Sequence, residues 1–201
     1  MGSRRAIVIL AILGLLTGAC SGTRVSQDDL MGVAMAEPTP KPDFTLTDTE
    51  GEPFHFAPET EGSLTLLYFG YTYCPDICPV HLAQIAEALG QVPQVSATVV
   101  FVSVDPERDT PDRIREFLDN FDTSFVGLTG TPEEIRAAED AVGVPPSVKE
   151  GDGDDYTVGH AGQVFAWAPD GLLYAQYPFG TRQSTWVNDL EMLSRIQPEE
   201  A

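Results

Sequence analysis

The chain has 201 residues, 42% of them hydrophobic, with 31 Asp and Glu against 11 Lys and Arg and a formal net charge of −20. That length buries one good core, so one globular domain with an N-terminal extension is expected. The charge repels phosphate, which excludes a nucleic-acid partner and suits a basic protein or a cation.

The first twenty residues have the layout of an export signal. Arg4 and Arg5 precede the apolar run Ala6–Leu16, and Thr17-Gly18-Ala19 leads to Cys20. Eleven apolar residues are too few to span a bilayer. A run of this kind closed by cysteine is similar to a bacterial lipoprotein signal, which implies that residues 1–20 end at a lipidated Cys20; an uncleaved anchor is the alternative. Either reading places the domain on the extracytoplasmic, periplasmic side of the cell membrane. Lipidation leaves two free cysteines, and loss of Arg4 and Arg5 takes the charge from −20 to −22. Ser21 to Pro42 is rich in Gly, Pro, Asp and small residues without periodicity, which predicts a flexible tether over 21–42. Met31 and Met35 lie within it as soft atoms, though methionines isolated in a tether ordinarily bind nothing.

The domain is expected over 43–197. Phe44–Thr47 and Pro53–Phe56 flank Asp48-Thr49-Glu50-Gly51 and predict a hairpin, with His55 on its surface. Leu64–Phe69 is apolar throughout, the pattern of a fully buried strand, and Leu82, Ile85, Ala86 and Leu89 have helical spacing. Between them stands Phe69-Gly70-Tyr71-Thr72-Tyr73-Cys74-Pro75-Asp76-Ile77-Cys78-Pro79. Pro79 suits the first helical position, which aims the positive end of the helix at both sulfurs and favours thiolate, the form that attacks disulfides and binds soft metals. Three residues separate the cysteines, against two in thioredoxin-type motifs, leaving room for an ion.

Ala97–Val104 reads as a central strand. It ends in Asp105-Pro106-Glu107-Arg108-Asp109-Thr110-Pro111, where Thr110 caps a helix through Ile114, Phe117 and Leu118. A short strand over 124–128 follows, then Thr131 and Glu134 with capping-box spacing and a helix to about Val142. Val144–Asp155 is expected as a solvated acidic loop. Tyr156–His160 then leads into Gln163–Trp167, the turn Pro169-Asp170-Gly171, the strand Leu172–Tyr177, and a last helix from Ser184 capped by Ser or Thr. This order predicts an α/β, thioredoxin-like fold: a mixed central sheet with helices on both faces and an added N-terminal hairpin.

With that cysteine stretch, Val104-Asp105-Pro106-Glu107-Arg108-Asp109-Thr110-Pro111 and Tyr156-Thr157-Val158-Gly159-His160 in this order, the chain resembles the Sco/SenC family from about Pro42 to Arg195. The resemblance implies a copper ion bound by Cys74, Cys78 and His160. It also implies a role toward the CuA-bearing subunit of cytochrome c oxidase, with other copper-handling proteins or thiol reductants as further partners. Gly159 and Ala161 flank the histidine where the family usually has Asp and Ser.

Two thiolates and one imidazole suit copper(I) and leave an open side for transfer, whereas structural zinc wants a fourth ligand. His81, one turn into the helix, is the rival imidazole, on a face expected to point away. Asp76 lies between the thiols and either tunes them, guides a partner or serves the turn; Asp105 and Asp109 either shape the neighbouring loop or serve the turn. The alternative function is a thiol-disulfide reductase with Cys74 attacking and Cys78 resolving, in which His160 has no obligatory part. A peroxidase on the same scaffold would leave Cys78 and His160 unexplained.

Overall fold

A run without polar alternation, such as Leu64–Gly70, forms a strand only where both faces are covered. The computed structural model, which describes residues 29–198 apart from Asp152 and Asp154, buries every residue of that run in the middle of an eight-stranded sheet. In chain order the elements are β1 (Val33–Pro40), β2 (Thr45–Asp48), β3 (Pro53–His55), α1 (Phe56–Glu59), β4 (Leu64–Gly70), α2 (Ile77–Gln91), β5 (Ala97–Ser103) and α3 (Pro111–Leu118). They continue with β6 (Val126–Thr129), α4 (Pro132–Val142), β7 (Val148–Glu150), β8 (Thr157–Gly159), β9 (Val164–Trp167), β10 (Leu172–Tyr177) and α5 (Gln183–Leu193). The sheet runs β1-β10-β9-β4-β5-β6-β2-β3, and β7 pairs with β8 in a separate ribbon. β4, β5 and β6 are parallel, while the remaining neighbours are antiparallel.

Tyr68 and Phe101 are register partners and share a face of the sheet. There Tyr68 meets His81 of α2 at 5.1 Å, Phe101 meets Phe117 of α3 at 5.9 Å, and Tyr177 meets Trp186 of α5 at 4.2 Å between ring centroids. Leu67, Phe165 and Trp167 point to the other face, where Trp167 meets Phe56 of α1 at 5.6 Å. The expected architecture is therefore present: a mixed sheet, helices on both faces, and the β2–β3 hairpin at the N-terminal side of the domain.

Local signals placed the helix starts where capping was strong. Thr110 accepts the Arg113 N–H, and Thr131 and Glu134 form a reciprocal capping box. The last helix departs from expectation: it starts at Gln183 after Arg182, with no side-chain cap. Packing on α2 sets this start, since Gln183 Nε2 donates to the Gln84 carbonyl and Gln84 Nε2 to the Thr181 carbonyl, each at 3.2 Å.

Two further expectations are corrected. Residues 21–42, read as a tether, include β1, which pairs antiparallel with β10 from Val33↔Gln176 to Pro40↔Leu172 around a bulge. Prolines and small residues are what an edge strand tolerates, because half its N–H groups face away from the ladder. Met35 packs on the core and its sulfur accepts Gln176 Nε2 at 3.4 Å. The stretch Val144–Asp155, read as a loop, contains β7, too short to show a period. The signal over 1–20 lies outside the described residues, among which no helix is long and apolar enough to cross a membrane.

Asp189 pins the start of β1. Its buried carboxylate accepts the N–H groups of Met31 (2.9 Å) and Gly32 (2.8 Å) and the Tyr177 hydroxyl (3.1 Å). Gly32 is required here, because a Cβ would lie 2.5 Å from the Tyr177 ring. Asp189→Ala should cost about 2–4 kcal/mol, the penalty for orphaning buried donors. Urea unfolding checks the loss, with faster amide exchange in β1 as its local signature; an unchanged midpoint would show the clamp to be idle.

Candidate metal centre

The chain leaves β4 at Gly70 and enters α2 at Ile77, so the helix starts two residues before the expected Pro79. Proline remains tolerable there because first-turn N–H groups have no intrahelical acceptor. Cys78 consequently sits inside the first turn, buried, while Cys74 stays in the loop, half-buried, and both are free thiols. The Cys74 N–H donates to the Tyr71 carbonyl at 3.2 Å, and the Cys78 N–H points at the Cys74 sulfur at 3.5 Å. The helix N-terminus thus serves one sulfur, Cys74, through a named amide.

The loop is tied to the strand beside it by Asp109. This buried carboxylate accepts the Thr72 N–H (2.9 Å), the Thr72 hydroxyl (2.6 Å) and the Ser103 hydroxyl (2.7 Å). Burial pushes its carboxyl up, and the three donors oppose that shift. Asp105 accepts Arg108 Nε and the Tyr156 hydroxyl, each at 2.6 Å. Both aspartates take the loop-shaping role that the sequence left open. Asp76 is the exposed residue before α2, and its backbone N–H, not its carboxylate, acts on Cys74.

His160 follows β8 and reaches the thiols from the opposite side. Its Nε2 lies 3.8 Å from the Cys78 sulfur, and its Nδ1 lies 3.0 Å from the Ala161 carbonyl. A carbonyl only accepts, so Nδ1 carries the proton and Nε2 turns its lone pair to the sulfurs. That backbone group supplies the support for which a carboxylate at position 159 would otherwise be sought. Tyr68 and Tyr71 flank the imidazole edge-on at 6.0 and 5.8 Å. The donor atoms of Cys74, Cys78 and His160 all lie within 4.8 Å of one another. Ligands on one ion at roughly 2.0–2.3 Å sit within about 4.6 Å of each other, so closing the set needs only small movements.

His81 is placed differently from expectation. It is fully buried and faces inward, its ring against Tyr68 and 5.6 Å from Phe179, and it lies outside the three-donor group. Burial lowers its pKa to about 4, with the Pro178 carbonyl favouring the charged form slightly, so it packs as a neutral ring. Sequence reasoning missed Tyr68, whose hydroxyl donates to the Cys78 sulfur at 3.4 Å, and Gly70, where a Cβ would lie 3.0 Å from that sulfur. A tyrosine inside a fully buried strand was the available signal, because its hydroxyl needs a partner.

The thiols are electrostatically unequal. Cys74 is held down to about 3, first by the hydrogen bond from the Cys78 thiol, against burial, and further by the backbone amides of Cys78 and Asp76. Cys78 is pushed up by that same hydrogen bond to the Cys74 thiolate and by burial. One sulfur is a ready nucleophile and ligand, and the other stores the proton.

Comparisons with known proteins give the family and the fold. The family model described as SCO1/SenC matches residues 33–195. A Stutzerimonas stutzeri protein named for copper binding is 33% identical over 177 residues, covering 85% of this chain and 84% of that one. The chain spans 34% and 60% of the lengths of two further relatives. The solution structure of apo Sco1 from Thermus thermophilus matches with a TM-score of 0.72 and 33% identity, over 82% of this chain and 96% of that one. Arabidopsis thaliana ScoI, crystallised with copper bound, matches with a TM-score of 0.71 and 29% identity, over 79% of this chain and all of that one.

In the reduced, metal-free protein, iodoacetamide should alkylate Cys74 well before Cys78, at a rate that stays nearly flat down to about pH 5. The sign follows from the lowered pKa: the thiolate persists in acid and is lost only on approaching about 3. Cys78→Ala removes the largest cause and should restore a rate that falls below about pH 8. An ordinary thiol profile in the parent would overturn the assignment.

Proposed function

The chain belongs to the SCO1/SenC family, and from that premise we propose that it carries copper on Cys74, Cys78 and His160 and delivers it to the CuA site during cytochrome c oxidase assembly. The convergence of two thiols and one imidazole nitrogen within 4.8 Å carries this reading. The copper-bound Arabidopsis structure of the same fold supports it. In this proposal the domain is held at the extracytoplasmic face of the membrane by a lipidated Cys20, on the strength of the export-type signal that ends there.

Copper is cargo in this scheme. As Cu(I) it prefers soft thiolates and accepts imidazole, and three donors leave one side open to an incoming ligand. A thiolate of the recipient attaches to the ion while a bond to Cys74, Cys78 or His160 breaks. Repeating the exchange moves the ion without any change of oxidation state, and Cys78 takes a proton as it is released. His160 holds its proton on Nδ1 throughout, so Nε2 binds and leaves without proton transfer.

The unequal thiols favour a second reading, a reductase that keeps CuA-site cysteines reduced. The Cys74 thiolate attacks a partner disulfide and forms a mixed disulfide; Cys78 gives up its proton, attacks the Cys74 sulfur and releases the partner as two thiols. The cost is a Cys74–Cys78 disulfide, which a further thiol reductant must reopen.

His160→Ala separates the two. The reduced protein should bind one copper ion per chain, and either Cys74→Ala or Cys78→Ala should abolish binding. His160→Ala should weaken binding by more than about tenfold and lose support of oxidase assembly in cells, yet reduce a model disulfide near the parental rate. Copper held at parental affinity in that variant would move the preference to the reductase. For the anchor, Cys20→Ser should block lipidation and release the protein from membranes; unchanged processing and membrane association would favour an uncleaved anchor.

A further inference from the structure

Beside the β7–β8 ribbon the domain carries a cleft that the thiol chemistry does not use. It encloses about 220 Å³ between α4, the loop after β5 and the ribbon, and its described lining includes none of the three donors. One carboxylate in its wall is incompletely used. Glu139 of α4 is 1% exposed, and its Oε1 accepts the Ser147 N–H at 2.9 Å. Oε2 accepts no formed hydrogen bond, and no cation pairs with either oxygen, among the described residues. Asp105, in the same wall, differs: one oxygen accepts Arg108 Nε and the other the Tyr156 hydroxyl. A buried carboxylate left half open is costly, because it has given up water without a replacement donor. Burial pushes the Glu139 carboxyl up, opposed by Ser147 and then by the charge of Arg136.

Arg136 also lines the cleft, one turn earlier on the same helix. It is exposed and pairs with no carboxylate among the described residues. The two charges therefore serve one cleft without bridging each other. Val104, Ile135 and Val158, all buried, add an apolar wall.

We propose that this cleft binds a small aliphatic α-amino acid, with its ammonium on Glu139, its carboxylate on Arg136 and its side chain against Val104, Ile135 and Val158. Such a molecule carries its two charges on neighbouring groups, which suits a carboxylate and a guanidinium on side chains rooted about 5–6 Å apart on a helix. The ammonium brings three donors, so it satisfies Oε2. The volume lies below the roughly 300–1,000 Å³ of drug-sized sites and favours a body smaller than a peptide or a nucleotide. Charge sets the class. A simple carboxylic acid would meet Glu139, Asp105 and Glu107 with like charge, and a simple amine would leave Arg136 unused. Lys149 does not replace Arg136, since Glu107 holds it at 2.7 Å. The site does not depend on the copper reading, although Val158 belongs to β8, the strand that leads to His160.

Calorimetry of the full-length, reduced, metal-free protein in detergent tests this with three probes: L-leucine, isoamylamine, which is leucine without its carboxylate, and isocaproate, which is leucine without its ammonium. L-leucine should bind one per chain with a Kd of about 1 mM or below. Isoamylamine should bind at least about tenfold more weakly, and isocaproate should not bind. Glu139→Gln keeps an oxygen for the Ser147 N–H, and it should weaken L-leucine at least about tenfold. Arg136→Ala, at an exposed position, should bring L-leucine down to the isoamylamine level and leave isoamylamine unchanged; it decides alone if Glu139→Gln does not fold. In nitrogen-labelled protein the amide shifts on adding L-leucine should be largest in α4 and the β7–β8 ribbon. No saturable L-leucine binding, parental affinity in a folded Glu139→Gln or in Arg136→Ala, or shifts centred elsewhere overturn the proposal. Isoamylamine binding as tightly as L-leucine overturns it too, because the carboxylate would then have no partner.

Discussion

The pairing of β4 with β9 is the constraint on which the site depends. Tyr68↔Val164 fixes the register of two strands nearly a hundred residues apart in sequence. With that register, the loop leaving β4 and the segment entering β9 arrive at the same end of the sheet, and His160 faces the Cys78 sulfur at 3.8 Å. A slip of one residue would exchange the faces of the sheet. Tyr68 would then turn away from α2, and the hydroxyl it gives to Cys78 would be lost. The fully buried β4 makes such a slip costly, since any exchange would force its whole apolar set to repack.

On that frame the chemistry comes from placing one sulfur at a helix terminus and the other within the helix. Cys74 lies where the Cys78 amide, the Asp76 amide and the Cys78 thiol can all serve a negative charge. Cys78, whose proton is held in the hydrogen bond to Cys74 and which is fully buried, does not share that charge. The same asymmetry would suit both proposed chemistries, because a soft ion and a disulfide sulfur would each be met first by the more accessible, half-buried Cys74 thiolate. In the proposed copper-bound state the ion would take the place of the shared proton, so the buried thiol would lose its proton only when the ion is there to offset the desolvation.

What could be read in advance was what is local. The caps at Thr110 and Thr131 depend on atoms within one turn, and the buried strands β4 and β5 advertise themselves by composition. The three donors were legible because thiols and imidazoles are scarce here and their spacing resembled a known family. β1 was not legible, since an edge strand containing Pro38 and Pro40 has the composition of a linker until β10 is known to lie beside it. Nor was the support of His160, because it comes from the Ala161 carbonyl, a group every sequence has at every position. His81 was misplaced for a related reason: helical spacing from Cys78 gives its face, but only the packing of Tyr68 and Phe179 shows that this face is turned inward.

The placement of the third donor has a mechanical basis of its own. His160 ends the short β7–β8 ribbon, which lies outside the main sheet and has little backbone pairing to hold it. Arg108 supplies the attachment: its guanidinium lies 3.5 Å from the centroid of the Tyr156 ring, donates to the Tyr156 carbonyl at 3.1 Å, and bridges back to Asp105 at 2.6 Å. The Tyr156 hydroxyl closes the circuit on the same carboxylate. Because Asp105 is buried, this is a pair that tolerates loss of either partner poorly. The ribbon is therefore fastened to the loop that follows β5, while Asp109 in that loop fastens the thiol segment through Thr72. Five residues, Asp105 to Asp109, thereby reference all three donors to the end of one central strand, and the spacing of the donors is set there as well as by the chain that carries them.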